Sequence, residues 1–175
     1  MTIKEREIAV LGGGSWGTVL ANLASLNGNL VNLWMRDQAN AEFINLNSEN
    51  KKYLPGYKLS DKLHATNNLQ EIKSSKLVLF CVPSDSFRKV LLKSLSYLQP
   101  KAYLVSATKG IDEEGFKLMS QILENESHKL QKIGVVSGPN LAKEITQNQL
   151  TGTVIASKSK KLREEFMRVF SSNSF

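Results

Sequence analysis

Short apolar runs alternate along this chain with stretches whose apolar positions recur every three to four residues. EIAVL (7–11) precedes a helical period over 16–26, LVNLWM (30–35) one over 38–47, and LVLFCV (77–82) one over 86–95. The rhythm continues with AYLVSA (102–107) before 116–124, IGVVS (133–137) before 141–147, and TGTVIAS (151–157) before 159–170. Strand and helix in regular alternation predict parallel strands joined by crossover helices. The strand segments are apolar almost throughout, as expected when helices cover both faces of the sheet. One stretch, 48–68, breaks the pattern: it is polar, holds Leu54-Pro55-Gly56 where a turn is expected, and has room for one short strand near 62–66.

Composition narrows the class without changing this picture. A chain of 175 residues can bury roughly 70% of the surface its unfolded form exposes, so a core needs no disulfide or metal. Hydrophobic residues are 41% and charged residues 22%, which fits a folded globular domain and not a disordered one. Cys81 is the single cysteine, set in an apolar run, which points to a buried thiol and a reducing compartment. The opening MTIKEREIAV interrupts with charges any apolar signal segment, and no later run is long enough to cross a bilayer. The expectation is a cytoplasmic protein with no membrane span.

A net charge of +7 favours anionic partners. The basic residues are dispersed, and in the densest cluster, SKSKKLREEFMR (157–168), Glu164 and Glu165 stand at helical spacing from them. That pattern fits a solvated helix face better than a nucleic-acid surface, and no nucleic-acid partner is expected. His64 and His128 lack partners at metal-ligand spacing, so no metal site is expected.

The chemistry begins at GGGSWG. Gly12, Gly14 and Gly17 form G-x-G-x-x-G after a strand and at the start of a helix, the context in which the pattern signals a dinucleotide-binding, Rossmann-like fold. The first glycine permits the tight turn, the second the approach of a pyrophosphate, and the third close packing of helix on strand. Gly13 has no assigned task. Ser15 and Trp16 occupy the helix start, where free N–H groups and the helix dipole favour phosphate; Trp16 serves equally as core. About 20 residues beyond the last glycine, the second strand ends in LWMRD. Arg36 facing the ribose would bind a 2′-phosphate and select NADPH, whereas Asp37 facing it would select NADH. The cofactor expected is NADPH, with NADH the alternative.

Four more stretches, YLPG (53–56), VPSDSF (82–87), TKGI (108–111) and GPNLAKEI (138–145), follow in order. With GGGSWGT they resemble the bacterial type of NAD(P)-dependent glycerol-3-phosphate dehydrogenase over essentially the whole chain. The resemblance implies that 1–175 is the dinucleotide domain of an oxidoreductase that moves hydride between NAD(P)H and dihydroxyacetone phosphate. The product, sn-glycerol 3-phosphate, serves phospholipid synthesis. It implies cofactor contacts from Ser15, Trp16, Arg36, Phe87 and Ala142, with Phe87 equally explained as core. It implies that Lys109 touches cofactor and substrate, and that Gly138 and Asn140 lie on the substrate side. Many bacterial members carry Ser or Thr where this chain has Asn140.

The family's general-acid lysine belongs to a helical domain beyond Phe175, so no catalytic residue is expected in this chain; the complete enzyme leaves room for a homodimer. Physical chemistry agrees that Lys109, at a strand's C-terminal end, could polarise a ketone or hold a phosphate, and that Pro139 could open a helix facing the same cleft. Two other functions compete: a Rossmann dehydrogenase acting on a hydroxy or keto acid, and a non-catalytic NAD(P)-sensing module.

Overall fold

In the computed structural model, which describes residues 7–113, 115–172 and 174–175, the apolar runs become strands of one sheet. The charged opening stretch lies largely outside the described residues. The strands are β1 (Glu7–Leu11), β2 (Leu30–Trp34), β3 (Leu63–Thr66), β4 (Leu77–Phe80) and β5 (Tyr103–Ser106). A two-stranded hairpin, β6 (Ile111–Asp112) and β7 (Lys117–Leu118), precedes the last sheet strands, β8 (Lys132–Ser137) and β9 (Val154–Ser157). The helices are α1 (Ser15–Leu26), α2 (Gln38–Asn47), α3 (Ser84–Ser94), α4 (Met119–Glu126), α5 (Ala142–Thr146) and α6 (Lys160–Phe170).

Sheet order is β3-β2-β1-β4-β5-β8-β9. All neighbours are parallel except β8 and β9. The order reverses direction at β1, between β2 and β4, which is the switch point where open α/β sheets leave a crevice at the carboxyl ends of their strands.

Side chains alternate across the sheet as the pleat requires. Ile8, Val10, Leu77 and Leu79 point to one side, with Val19, Leu20, Leu162 and Phe166 of α1 and α6. Ala9, Leu11, Val78 and Phe80 point to the other, with Phe87, Val90, Leu91, Ile122 and Leu123 of α3 and α4. This gives the doubly wound α/β fold with helices on both faces. Each fully buried Leu or Phe stabilises the layer by about 1.5–3 kcal/mol. The basic segment near the end is amphipathic as expected: α6 buries Leu162, Phe166, Val169 and Phe170, while Lys160 and Arg168 pair with Glu164 and Glu165 on the same helix.

Three sequence expectations need correction. The strand over 151–157 runs antiparallel to β8, because the chain between them doubles back. A Cβ placed on Gly138 would lie 2.4 Å from the Gly152 carbonyl oxygen, so the exit of one strand and the approach to the next are in contact. The helix over 116–124 begins at Met119, because residues before it form the β6–β7 hairpin, where Arg88 of α3 holds both Asp112 (3.0 Å) and Glu126. Pro139 does not open a helix: α5 starts at Ala142 with Leu141 at its N-cap, and its five residues are too short for an anion-binding terminus. The strand expected near 62–66 is present as β3.

Candidate functional site

A cleft of about 840 Å³ opens at the carboxyl ends of β1, β2, β4 and β5, where the topology leaves its crevice. Its floor is the glycine loop. Gly12 has φ +127°, donates its N–H to the Trp34 carbonyl at 2.9 Å, and sits so close to Cys81 that a Cβ would be 2.7 Å from that residue's carbonyl oxygen. Gly17 is tighter still, since its Cβ would stand 1.9 Å from the Gly12 carbonyl oxygen. Gly14 is different: a Cβ there meets nothing within 4 Å and projects into open space beside the cleft it lines. Gly13 does have a task, contrary to expectation, because a Cβ would lie 2.9 Å from the Met35 Cβ.

Helix α1 starts on this floor without any side-chain cap. Its first closed backbone bond runs from the Thr18 N–H to the Gly14 carbonyl at 2.9 Å, so the N–H groups of the preceding turn keep the unsatisfied character of a helix start. Ser15 and Trp16, both lining the cleft, are in that turn. Trp16 meets both expectations: it lines the cleft and also packs against the core, its Nε1–H donating to the Ala107 carbonyl at 3.1 Å.

The polar segment after α2 supports the loop from behind. Asn50, fully buried, donates from Nδ2 to the Gly13 carbonyl at 3.0 Å and to Thr18 Oγ1 at 2.8 Å. Its Oδ1 accepts from Asn40 Nδ2 at 3.2 Å. Asn22 of α1 holds the same segment farther along, donating to the Lys58 carbonyl and accepting from the Ser60 N–H. No local motif in the sequence signals these asparagines; only the three-dimensional return of the segment reveals them.

At the end of β2 the two candidate selectors behave differently. Asp37 is the N-cap of α2, where Oδ1 accepts from the Asn40 N–H at 3.1 Å and Oδ2 accepts from Lys52 Nζ at 2.8 Å. The Lys52 ammonium beside it, and then the Asn40 N–H, hold its carboxyl below the ordinary Asp value, while the same contact raises Lys52. Arg36 is exposed, lines the cleft and makes no hydrogen bond or ion pair with a described residue.

Across the cleft, Lys109 follows β5, its backbone steered by Thr108, whose Oγ1 donates to the Val82 carbonyl at 2.7 Å. Lys109, Asn140 and Ala142 all line the cleft. Asn140 is buried, and its Oδ1 accepts from Thr153 Oγ1 at 3.1 Å. Two predicted residues have side chains or positions elsewhere. Phe87 is 0% exposed and packs, tilted by 46°, against Phe80 with ring centroids 5.3 Å apart in the core under α3, so its ring does not reach the cleft. Gly138 lies behind Asn140, serving the reversal against Gly152. Cys81 lines the cleft floor with its thiol buried, and burial pushes that thiol far above its usual value, which keeps it protonated.

The model of the family described as "NAD-dependent glycerol-3-phosphate dehydrogenase N-terminus" matches residues 7–163. The chain belongs to that family. Its relatives include the glycerol-3-phosphate dehydrogenase [NAD(P)+] of Saccharophagus degradans, 50% identical over 169 residues that make up 96% of this chain and 47% of that protein. The enzyme of the same name from Teredinibacter turnerae is 48% identical over 96% of this chain and 49% of its own. Among solved structures, glycerol-3-phosphate dehydrogenase from Coxiella burnetii superposes with a TM-score of 0.92 at 27% identity, covering 98% of this chain and 52% of that one. The chain thus spans about half the length of these relatives.

In this member of the glycerol-3-phosphate dehydrogenase family, the residues present suit a dinucleotide. Space opens where Gly14 lacks a Cβ, helix N–H groups adjoin that space, and cations stand at both ends of the cleft, Arg36 on one side and Lys109 on the other. Among the described residues no group of His, Cys, Asp and Glu could hold a metal, and no helix is long and apolar enough to cross a membrane.

Two outcomes follow from this geometry. Gly17→Ala drives a methyl into a backbone carbonyl that cannot move aside, and is expected to lower unfolding free energy by about 3 kcal/mol in a denaturant titration. Gly14→Ala costs at most about 1 kcal/mol, because nothing opposes the methyl and only the preference for glycine over alanine at the α1 N-cap is lost; comparable losses for the two would refute this division. Second, a carboxyl whose folded pKa is lowered stabilises above its unfolded value of about 3.9 and loses that contribution only as pH falls through the folded value. The Asp37 carbon resonance followed by NMR should therefore titrate below the ordinary Asp value, with the α2 cap intact through neutral and mildly acid pH.

Proposed function

We propose that this chain is the coenzyme-binding part of an NAD(P)-dependent glycerol-3-phosphate dehydrogenase, interconverting dihydroxyacetone phosphate and sn-glycerol 3-phosphate for phospholipid synthesis in the cytoplasm. The observation that carries the proposal is the open space at Gly14 against the uncapped start of α1, in a chain whose family is fixed by sequence over residues 7–163. The N–H groups of the first α1 turn, where the helix dipole is positive, would hold the diphosphate. Gly12 and Gly17 hold the backbone in place, and Gly14 lets it come close.

Arg36 faces the adenosine end. With the Asp37 carboxylate already bonded on both oxygens, the free guanidinium favours a 2′-phosphate, and NADPH is preferred to NADH. The nicotinamide end lies towards Lys109, Asn140 and Ala142. When bound, the coenzyme supplies the hydride that the ketone carbon accepts. The Lys109 ammonium presents its positive charge, without giving up a proton, to the ketone oxygen or to the substrate phosphate. The Asn140 amide, fixed through Thr153, orients a substrate oxygen. Phe87 and Gly138 contribute by packing and by the chain reversal. Donation of the proton that completes the alcohol is assigned to no residue of this chain.

The alternatives, a dehydrogenase for hydroxy or keto acids and a coenzyme sensor without chemistry, have no specific observation in their favour. Fluorescence titration with NADPH and NADH tests the coenzyme assignment. A charge-assisted bond of about 1.5–3 kcal/mol means that Arg36→Ala weakens NADPH roughly ten- to hundredfold while leaving NADH nearly unchanged; an unmoved ratio overturns the assignment. The purified chain is expected to bind coenzyme without turning over dihydroxyacetone phosphate, and measurable turnover would show that a proton donor has been overlooked.

A further inference from the structure

Lys52 comes from the polar segment after α2, far in sequence from the glycine loop, yet it lines the same cleft as Arg36 and Asp37. Its ammonium is placed from two directions. Nζ lies 2.8 Å from Asp37 Oδ2, and it stands 5.6 Å from the centroid of the Tyr53 ring. The backbone beneath it is fixed as well: the N–H groups of Tyr53 and Leu54 both donate to the carbonyl of Asn50, the buried residue bonded to Gly13 and Thr18.

The side chains of Lys52 and Asp37 are 53% and 43% exposed, and a single ion pair at such a surface adds little to folding stability. Its consequence is for a ligand. An unpaired carboxylate beside Arg36 would accept the ribose hydroxyls of NADH and repel a 2′-phosphate. Paired with Lys52 and turned to the α2 cap, the same carboxylate does neither, and Arg36 is left as the unopposed charge.

We propose that Lys52 is a specificity-determining residue for the coenzyme, acting through Asp37: it holds the carboxylate away from the ribose and cancels its charge beside Arg36. This rests on the proposal that the cleft binds NAD(P)H. The selector is then a triad from two separate segments, Arg36 and Asp37 at the end of β2 and Lys52 from the following loop. Only its first two members are adjacent in sequence.

The test is fluorescence titration of NADPH and NADH against the wild-type chain, Lys52→Ala, Asp37→Asn and the double variant. Asparagine serves as well as aspartate at an N-cap, so Asp37→Asn removes the charge and keeps the start of α2. Lys52→Ala is expected to weaken NADPH about tenfold and to leave NADH unchanged or tighter, since a freed carboxylate faces a doubly charged phosphate at short range. In the Asp37→Asn background, the same Lys52→Ala change should alter the NADPH to NADH ratio less than twofold.

A ratio unmoved by Lys52→Ala overturns the proposal. A tenfold loss that persists in the double variant overturns it too, by showing that Lys52 meets the phosphate directly. Thermal denaturation of each variant shows that the fold is intact, and Lys52→Ala, at an exposed position, is expected to melt with the wild type. A wild-type chain that binds neither coenzyme overturns the dinucleotide assignment and this proposal together, whereas binding with an unmoved ratio overturns only the role of Lys52.

Discussion

The contact on which the site depends is that between the Gly17 α-carbon and the Gly12 carbonyl. With only 1.9 Å available to any Cβ, helix α1 can be seated this close to β1 solely because position 17 has no side chain. That seating decides where the helix begins, and so where its unbonded N–H groups stand. Cys81, just past the neighbouring strand β4, presses on the loop from the other side, and Met35 on Gly13 from a third. The loop is enclosed on every side but one, and that open side, at Gly14, faces the cleft. A rigid backbone with one free face is the arrangement a phosphate-binding loop needs, because donors held in place lose little freedom when an anion arrives.

The Gly13 carbonyl and the Thr18 hydroxyl are both buried and meet each other only at the long distance of 3.5 Å, and a buried polar group left poorly bonded costs about 1–3 kcal/mol. Asn50 resolves this by donating to both, and Asn40 occupies its remaining oxygen. The bonds tie the segment after α2 to the glycine loop, which converts a long polar connection into a second wall of the cleft. Two residues farther on, that wall presents Lys52. Packing at the loop and charge beside the end of β2 are therefore linked through one buried amide.

Much of this architecture was legible in the sequence because its signals are local. Apolar runs flanked by helical periods predicted the parallel strands, and β1, α2 and α6 fall within a residue of their predicted bounds. Gly12 and Gly17 were readable because the tight turn and the close packing of helix on strand each require a missing Cβ at a fixed spacing. The failures came where a residue's role depends on something distant in the chain. Gly13 looked idle until Met35 was placed against it, and of the two readings open for Phe87 only its packing in the core under α3 could decide for core. The reversal at Gly138 depends on Gly152, and neither glycine alone announces it. Asn50 and Lys52 lay in the one segment without periodicity, where nothing local distinguishes a buried amide from a solvated one.

The site also divides its work by stiffness. The centre of the cleft is backbone, closely packed glycines and buried amides. The ends are long exposed side chains, Arg36 and Lys52 on one side and Lys109 on the other, reaching from the last turns of strands and from a loop. Substitution at Gly12 or Gly17 meets backbone and threatens the fold, whereas substitution at the ends meets solvent and is cheap. The charges at the ends, Arg36, Asp37 and Lys52, can therefore change without disturbing the glycine loop, because they are not the groups that hold α1 against the sheet.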